Sequence, residues 1–156
     1  MKNTAKKPDQ LSNTSLFALL NQSLADMLAL KINAKQAHWN VKGESFIALH
    51  ELFDKVSAQA DEYADSIAER LVQLGGQAEG GASHIVKRAA HADYPQVTDA
   101  QKHVKALGNQ LQETANQMRE AIETSDSMDD AVTADLFTQI ASGLDKYHWF
   151  VSSHQK

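Results

Sequence analysis

The 156-residue sequence predicts an all-α domain, a four-helix bundle whose second and third helices are joined by a long connection that itself holds a short helix. Three observations carry this. Apolar residues recur at three- and four-residue spacing along four long stretches, the period of a helix with one buried side. Only two prolines and seven glycines are present, and most fall between those stretches, where they separate helices rather than break them. The remainder is rich in Ala, Leu, Gln and Glu, which are good helix formers.

In chain order, residues 1–10 are polar and read as a flexible lysine-containing tail, which leaves 11–156 as the folded domain. Ser12 or Asn13 can cap the first helix, whose stripe of Leu16, Leu20, Leu24, Met27 and Leu28 runs on through Ile32 and Ala34 towards His38. Lys42-Gly43 ends it. Glu44 or Ser45 opens the second helix, which stops after Leu74 at Gly75-Gly76. Residues 77–97 form the connection, punctuated by Gly80, Gly81 and Pro95, and 83–90 can make the short helix. Thr98-x-x-Gln101 reads as a capping box for the third helix, with Val104, Leu107, Leu111, Met118 and Ile122 on its buried side. After the acidic turn TSDSMDD, Ser127 can cap the fourth, with Asp129 and Asp130 near its positive end. Leu136, Phe137, Ile140, Leu144, Tyr147 and Phe150 supply that helix's apolar positions, and Trp149 reads as packing. One extended crossover among four long helices is ferritin-like connectivity.

Composition excludes several classes. With no cysteine, disulfides and thiolate metal sites are out. No apolar run approaches membrane-spanning length, and MKNTAKKPDQ lacks the apolar segment of a secretory signal, so the expected location is the cytoplasm. The formal net charge of −5 does not suit a body that grips polyanions, although Lys2, Lys6 and Lys7 crowd the first seven residues.

The second helix carries the chemistry. His50 and Asp54 are four residues apart, as are Asp65 and Glu69, so each pair shares one side of the helix. Such hard or borderline donors suit iron, manganese or zinc. The eleven steps from Asp54 to Asp65 separate the pairs by roughly 16 Å at 1.5 Å per residue, so one helix cannot unite them on one metal. A symmetry mate can. His50 and Glu69 sum to 119, as do Asp54 and Asp65, so if two copies of this helix pack antiparallel, residue i faces residue 119−i and two identical composite sites result. Ile47 then meets Val72, and Ala58 meets Asp61. A wheel agrees: Leu49, Leu52, Phe53, Val56, Tyr63, Ile67, Leu71 and Leu74 form one apolar stripe, and the ligands lie on a second with Ile47, Ala58, Ala68 and Val72, which a merely solvated face would seldom carry. His38, just upstream, adds another imidazole to each site. Two imidazoles and three carboxylates can hold one tight metal and a looser second, with Asp54 as the bridge. The Glu-x-x-His pair of a di-iron site inside one bundle is missing.

The stretch KQAHWNVKG, the following FIALHELFD and the D-x-x-A-E-R-L-V-Q-L-G-G that starts at Asp65 closely resemble the Dps family, the DNA-binding proteins from starved cells or mini-ferritins, and the similarity extends to LDKYHWF near the end. The resemblance implies a hollow homo-dodecamer with twelve ferroxidase sites at dimer interfaces, each taking two Fe, with zinc or manganese able to replace them. It implies oxidation of Fe(II), preferably by hydrogen peroxide, and storage of ferric mineral inside. Residue by residue, His38, His50 and Asp54 match the ligands of one subunit, and Asp65 and Glu69 those of the other. Trp39 matches the tryptophan thought to intercept oxidising equivalents there. Among Asp126, Asp129, Asp130 and Asp135, where the family lines its pores with acid, Asp130 and Asp135 are the leading candidates. DNA binding, and with it association with the nucleoid, would rest on Lys2, Lys6 and Lys7 repeated over twelve tails. The tail of residues 1–10 holds three lysines and one aspartate and so carries +2, which leaves the remainder at −7 and repulsive to phosphate. His84, His91, His103, His148 and His154 are expected to have no catalytic part.

Overall fold

The computed structural model describes residues 9–156, with side chains from residue 14 onward, so residues 1–8 of the tail, with all three of its lysines, lie outside the described residues. Among the described residues five helices follow in order: α1 (Asp9–Asn40), α2 (Phe46–Gln73), α3 (Ala82–Arg88), α4 (Ala100–Ser127) and α5 (Ala131–Ser152). The four long ones form the expected bundle and α3 is the short helix of the crossover. α1 pairs along its length with α2, α4 with α5, and α3 lies on α1. Leu20, Met27, Leu30, Phe53, Ile67, Leu107, Met118 and Phe137 are fully buried between them. Ile32 departs from the expected stripe and is 53 % exposed, because Leu30, Ala34 and Ala37 take the inward positions.

Helix starts differ most from expectation. α1 begins at Asp9 and runs through Ser12 and Asn13, which therefore do not cap it. Ser45 does precede α2, but its backbone is left-handed (φ 62) and its side chain makes no capping bond. α4 is capped by Asp99, which accepts from the Lys102 amide at 2.9 Å, not by Thr98. The reason is tertiary: the Thr98 carbonyl accepts from the Lys42 amide (2.8 Å), tying the end of α1 to the start of α4, while Gln101 bonds to the chain's last residues. Likewise Asp130, not Ser127, caps α5 through the Thr133 amide (3.0 Å), and Ser127 is the last residue of α4.

The end of α2 follows its glycines. The Gly75 amide bonds to the Val72 carbonyl (2.9 Å) and the Gly76 amide to the Leu71 carbonyl (3.0 Å), the paired bonds of a Schellman stop, with Gly75 at φ +89. Gly76 is needed for space instead, since a Cβ there would lie 2.5 Å from Leu71 Cδ1. The crossover is fastened by polar side chains of α1 that satisfy its backbone: Asn21 with Gln77 and Glu79, Gln22 with the Arg88 carbonyl, Asp26 with the Ala90 amide and Asn33 with the His91 carbonyl. Burial pushes the Asp26 carboxyl up, with bonds from Gln22 and Ala90 opposing it.

Candidate metal centre

Where α1 and α2 lie side by side, His38 and His50 stack, with ring centroids 3.7 Å apart and planes 20° from parallel. Each ring is pinned by the other's backbone: His38 Nδ1–H donates to the His50 carbonyl (2.6 Å), and His50 Nδ1–H to the His38 carbonyl (2.8 Å). A carbonyl only accepts, so both Nδ1 atoms carry hydrogen, and in the neutral rings both Nε2 atoms keep a lone pair. Metal-ligating histidines are oriented in this way, their second nitrogen fixed by an outer acceptor. The Phe46 ring also lies against His50, tilted, with 5.2 Å between centroids.

Asp54 lies one turn beyond His50 and is half-buried. Its Oδ1 is ion-paired with Lys35 of α1. The hydrogen bond from Lys35 holds its carboxyl below the usual carboxylate range. Slight burial opposes this, and the charges of Lys35, His38 and His50 add to it. Lys35 was not foreseen. A lysine on a helix reads as a solvated residue, and the available signal was its position three before His38, on the same face.

Asp65 and Glu69 are exposed on α2, and among the described residues neither has a hydrogen-bond or ion-pair partner. Exposed with them are Ile47 (60 %) and Val72 (59 %), the apolar brackets at the two ends of the ligand stripe. Within one chain the two pairs stay apart, as the length of α2 requires. Among the described residues no group of three or more His, Asp or Glu side chains converges to hold a metal ion. The donor chemistry nonetheless fits iron: two oriented imidazoles beside a carboxylate at one end of the stripe, two accessible carboxylates at the other.

Trp39 follows His38 and is 68 % exposed; Trp149, expected to pack, is 65 % exposed, tilted against the neighbouring Phe150 ring. Asp135 is exposed on the first turns of α5 and accepts from Gln139 (2.7 Å). Asp130 is largely covered by its capping role and by Arg70 of α2, which reaches it at 3.0 Å and Thr133 Oγ1 at 2.9 Å. Burial raises the Asp130 carboxyl, but bonds from Thr133 and the Arg70 charge outweigh it, and the group ends below its ordinary value. His103, His148 and His91 are engaged with Tyr94, the Gly108 carbonyl and Glu113 respectively. Among the described residues no helix is long and apolar enough to cross a membrane.

A ferritin-like domain model matches residues 17–156. The DNA protection during starvation protein of Agrobacterium fabrum is 43 % identical over 159 residues, covering 99 % of this chain and 97 % of that one. Among solved structures, Dps from Microbacterium arborescens in the high iron form superposes with a TM-score of 0.86 at 34 % identity, covering 96 % of this chain and 98 % of that one. The tetragonal form of Mycobacterium smegmatis Dps gives 0.89 at 31 %, covering 98 % and 94 %. A ferritin-like model over most of the chain and a full-length relative at this identity make the assignment: the chain belongs to the Dps family of DNA protection during starvation proteins.

Proposed function

We propose that this chain oxidises Fe(II), preferably with hydrogen peroxide, at centres completed between two copies of itself, and stores the ferric product inside a hollow dodecamer, limiting oxidative damage to DNA. The observation that carries this is the cross-pinned His38–His50 pair beside Asp54, with His50 and Asp54 on the same helix as the mirrored pair Asp65 and Glu69. Antiparallel pairing of α2 with its copy brings His50 against Glu69 and Asp54 against Asp65, and covers Ile47 with Val72. Two Fe(II), the substrate, each give one electron to one peroxide, which takes up two protons and leaves as two waters, so no hydroxyl radical is released. Trp39, beside His38 and exposed, suits the interception of stray oxidising equivalents. Zinc or manganese could occupy the same donors.

Asp135 is the better placed of the two pore candidates, since Asp130 is committed to its cap and to Arg70. The relatives' name, DNA protection during starvation, supports the protective role and also a second reading, a DNA-packaging protein whose metal sites are secondary. DNA binding would then run through Lys2, Lys6 and Lys7. Deletion of residues 1–10 should abolish a salt-sensitive gel shift, and a shift that survives deletion rules out the tail.

The deciding experiment adds Fe(II) without oxygen, then peroxide, and follows ferric absorbance. The double variant His50→Ala/Asp54→Ala should lose the fast phase. Equal rates in variant and wild type would exclude this centre.

A further inference from the structure

Among the described residues, His103 is the one histidine, lysine, arginine, aspartate, glutamate or tyrosine side chain that is wholly buried (0 % exposed). It stands in the first turn of α4. Its ring stacks with Tyr94 of the connection, 5.8 Å between centroids and 14° from parallel, and meets Phe53 of α2 at a tilt, 6.2 Å between centroids. Tyr94 Oη and His103 Nδ1 are 2.9 Å apart, while Nε2 has no hydrogen-bond partner among the described residues. Burial pushes the Tyr94 hydroxyl well above its ordinary range, so it keeps its hydrogen. With Tyr94 donating to Nδ1, only the Nε2–H is unpaired. With the ring donating instead, the tyrosine hydrogen and the Nε2 lone pair would both be unpaired, which makes Tyr94 the donor.

A second proton upsets this arrangement. Nδ1 then carries hydrogen and can no longer accept from Tyr94, and a cation has to lie against Phe53 with its Nε2–H unpaired. The groups that face the ring come from three elements: Tyr94 and the Val97 carbonyl from the connection, Asp99 at the head of α4, and uncharged Phe53 from α2. Burial holds the imidazole below its ordinary value, against the Val97 carbonyl and the Asp99 charge, which favour the cation.

Tyr94 also fastens its own segment. The connection is anchored at the His91 carbonyl by Asn33 (2.9 Å) and at the Thr98 carbonyl by the Lys42 amide (2.8 Å). Between those anchors, among the described residues, Tyr94 supplies the one side chain that hydrogen-bonds to a helix. Gln96, Val97 and Thr98 also border an open surface cleft of about 410 Å³ against Gln36 and Asn40 of α1, so solvent reaches the segment from that side.

We propose that His103 is an acid-sensitive latch: neutral, it accepts the Tyr94 hydroxyl and holds residues 92–97 on α4; protonated, it releases Tyr94, and the segment opens to let water reach the imidazolium. The latch uses no residue of the proposed metal centre and stands or falls apart from it. Its grip is fully present above about pH 6.5, the value of a hydrated imidazole, and is lost as pH falls from there through the lower, folded value.

The test is hydrogen exchange of the assembled protein, read by mass spectrometry over peptides spanning 92–97 from pH 7.5 to 5 and corrected for the intrinsic pH dependence of exchange. Wild-type protection of this segment should fall by about tenfold or more across that range, since one unit of pKa difference is worth a factor of ten. His103→Gln can still accept from Tyr94 but does not titrate, and should keep its protection constant. It leaves Asp26 and His91, the other titratable groups held at the connection, in place, so an acid response of theirs would persist in this variant. Tyr94→Phe keeps the ring and removes the hydroxyl, and should be as open at pH 7.5 as wild type becomes only in acid; it tests the latch even if His103→Gln fails to assemble. Wild-type protection that is unchanged from pH 7.5 to 5, an undiminished acid response in His103→Gln, or a Tyr94→Phe segment as protected as wild type at pH 7.5 overturns the latch.

Discussion

The two ends of α2 carry the two halves of the proposed centre, and they are built in different ways. At the N-terminal end, His50 is stacked on His38 from a second helix, each ring is pinned to the other's backbone, and Asp54 is held by Lys35. At the C-terminal end, Asp65 and Glu69 stand on α2 alone, exposed and, among the described residues, without partners. The folded chain thus fixes the imidazoles before any metal arrives and leaves the carboxylates to be positioned by whatever covers them. On the proposed function, precision would be supplied by the subunit and completion by its neighbour. A centre of this kind would tie metal affinity to assembly, since the soft half would gain its geometry only when two copies pair.

If that contrast is right, equivalent ligand losses at the two ends should have unequal consequences. His50→Ala removes a ligand and also a ring that donates to the α1 backbone and stacks on His38. Zn(II) affinity should fall by about a hundredfold or more, at or beyond the top of the roughly ten- to hundredfold range usual for an outer-shell partner. The chain should also lose about 1 kcal/mol, the net value of such a hydrogen bond, read by urea unfolding. Glu69→Ala should lower metal affinity by about tenfold, yet change unfolding by no more than about 0.5 kcal/mol, as is usual for an exposed side chain without partners. Equal destabilisation by the two substitutions would erase the distinction between a prebuilt and a borrowed half.

The sequence made the bundle, the crossover and the end of α2 legible because each depends on strong local signals: periodic apolar residues, and glycines where a Schellman stop and a tight contact with Leu71 require them. Helix starts were harder to read. Thr98 and Asp99 are both good caps, and what decides between them is the bond from Lys42, 56 residues earlier, to the Thr98 carbonyl. Ser127 and Asp130 compete in the same way, and Arg70 from α2 favours Asp130. In the centre, spacing alone marked His50, Asp54, Asp65 and Glu69. The stacking of His38 on His50 and the grip of Lys35 on Asp54 arise from the packing of α1 against α2, which no local pattern encodes.

The smallest effect concerns how the borrowed half is anchored. Arg70 directly follows Glu69, and its guanidinium joins the last turns of α2 to the Asp130 cap of α5, both side chains mostly covered. Asparagine caps as well as aspartate, so Asp130→Asn removes the charge and keeps the cap, whereas Asp130→Ala removes both. At neutral pH the alanine variant should lose about 1–2 kcal/mol and the asparagine variant about 1 kcal/mol or less. The Asp130 carboxyl lies below its ordinary value in the fold, so its contribution is fully present above the unfolded pKa of about 3.9. It is lost as pH falls through the lower, folded value. The gap between wild type and Asp130→Asn in urea midpoint should therefore be constant from pH 7 to about 5 and close in strong acid, where both side chains are neutral. Zn(II) affinity at pH 7 should differ little between the two, because the anchor steadies the turn that carries Glu69 without touching the metal. If instead Asp130→Asn weakened binding as much as Glu69→Ala does, the carboxylate end would owe its geometry to this intrachain anchor, and the partner would be covering a site already made.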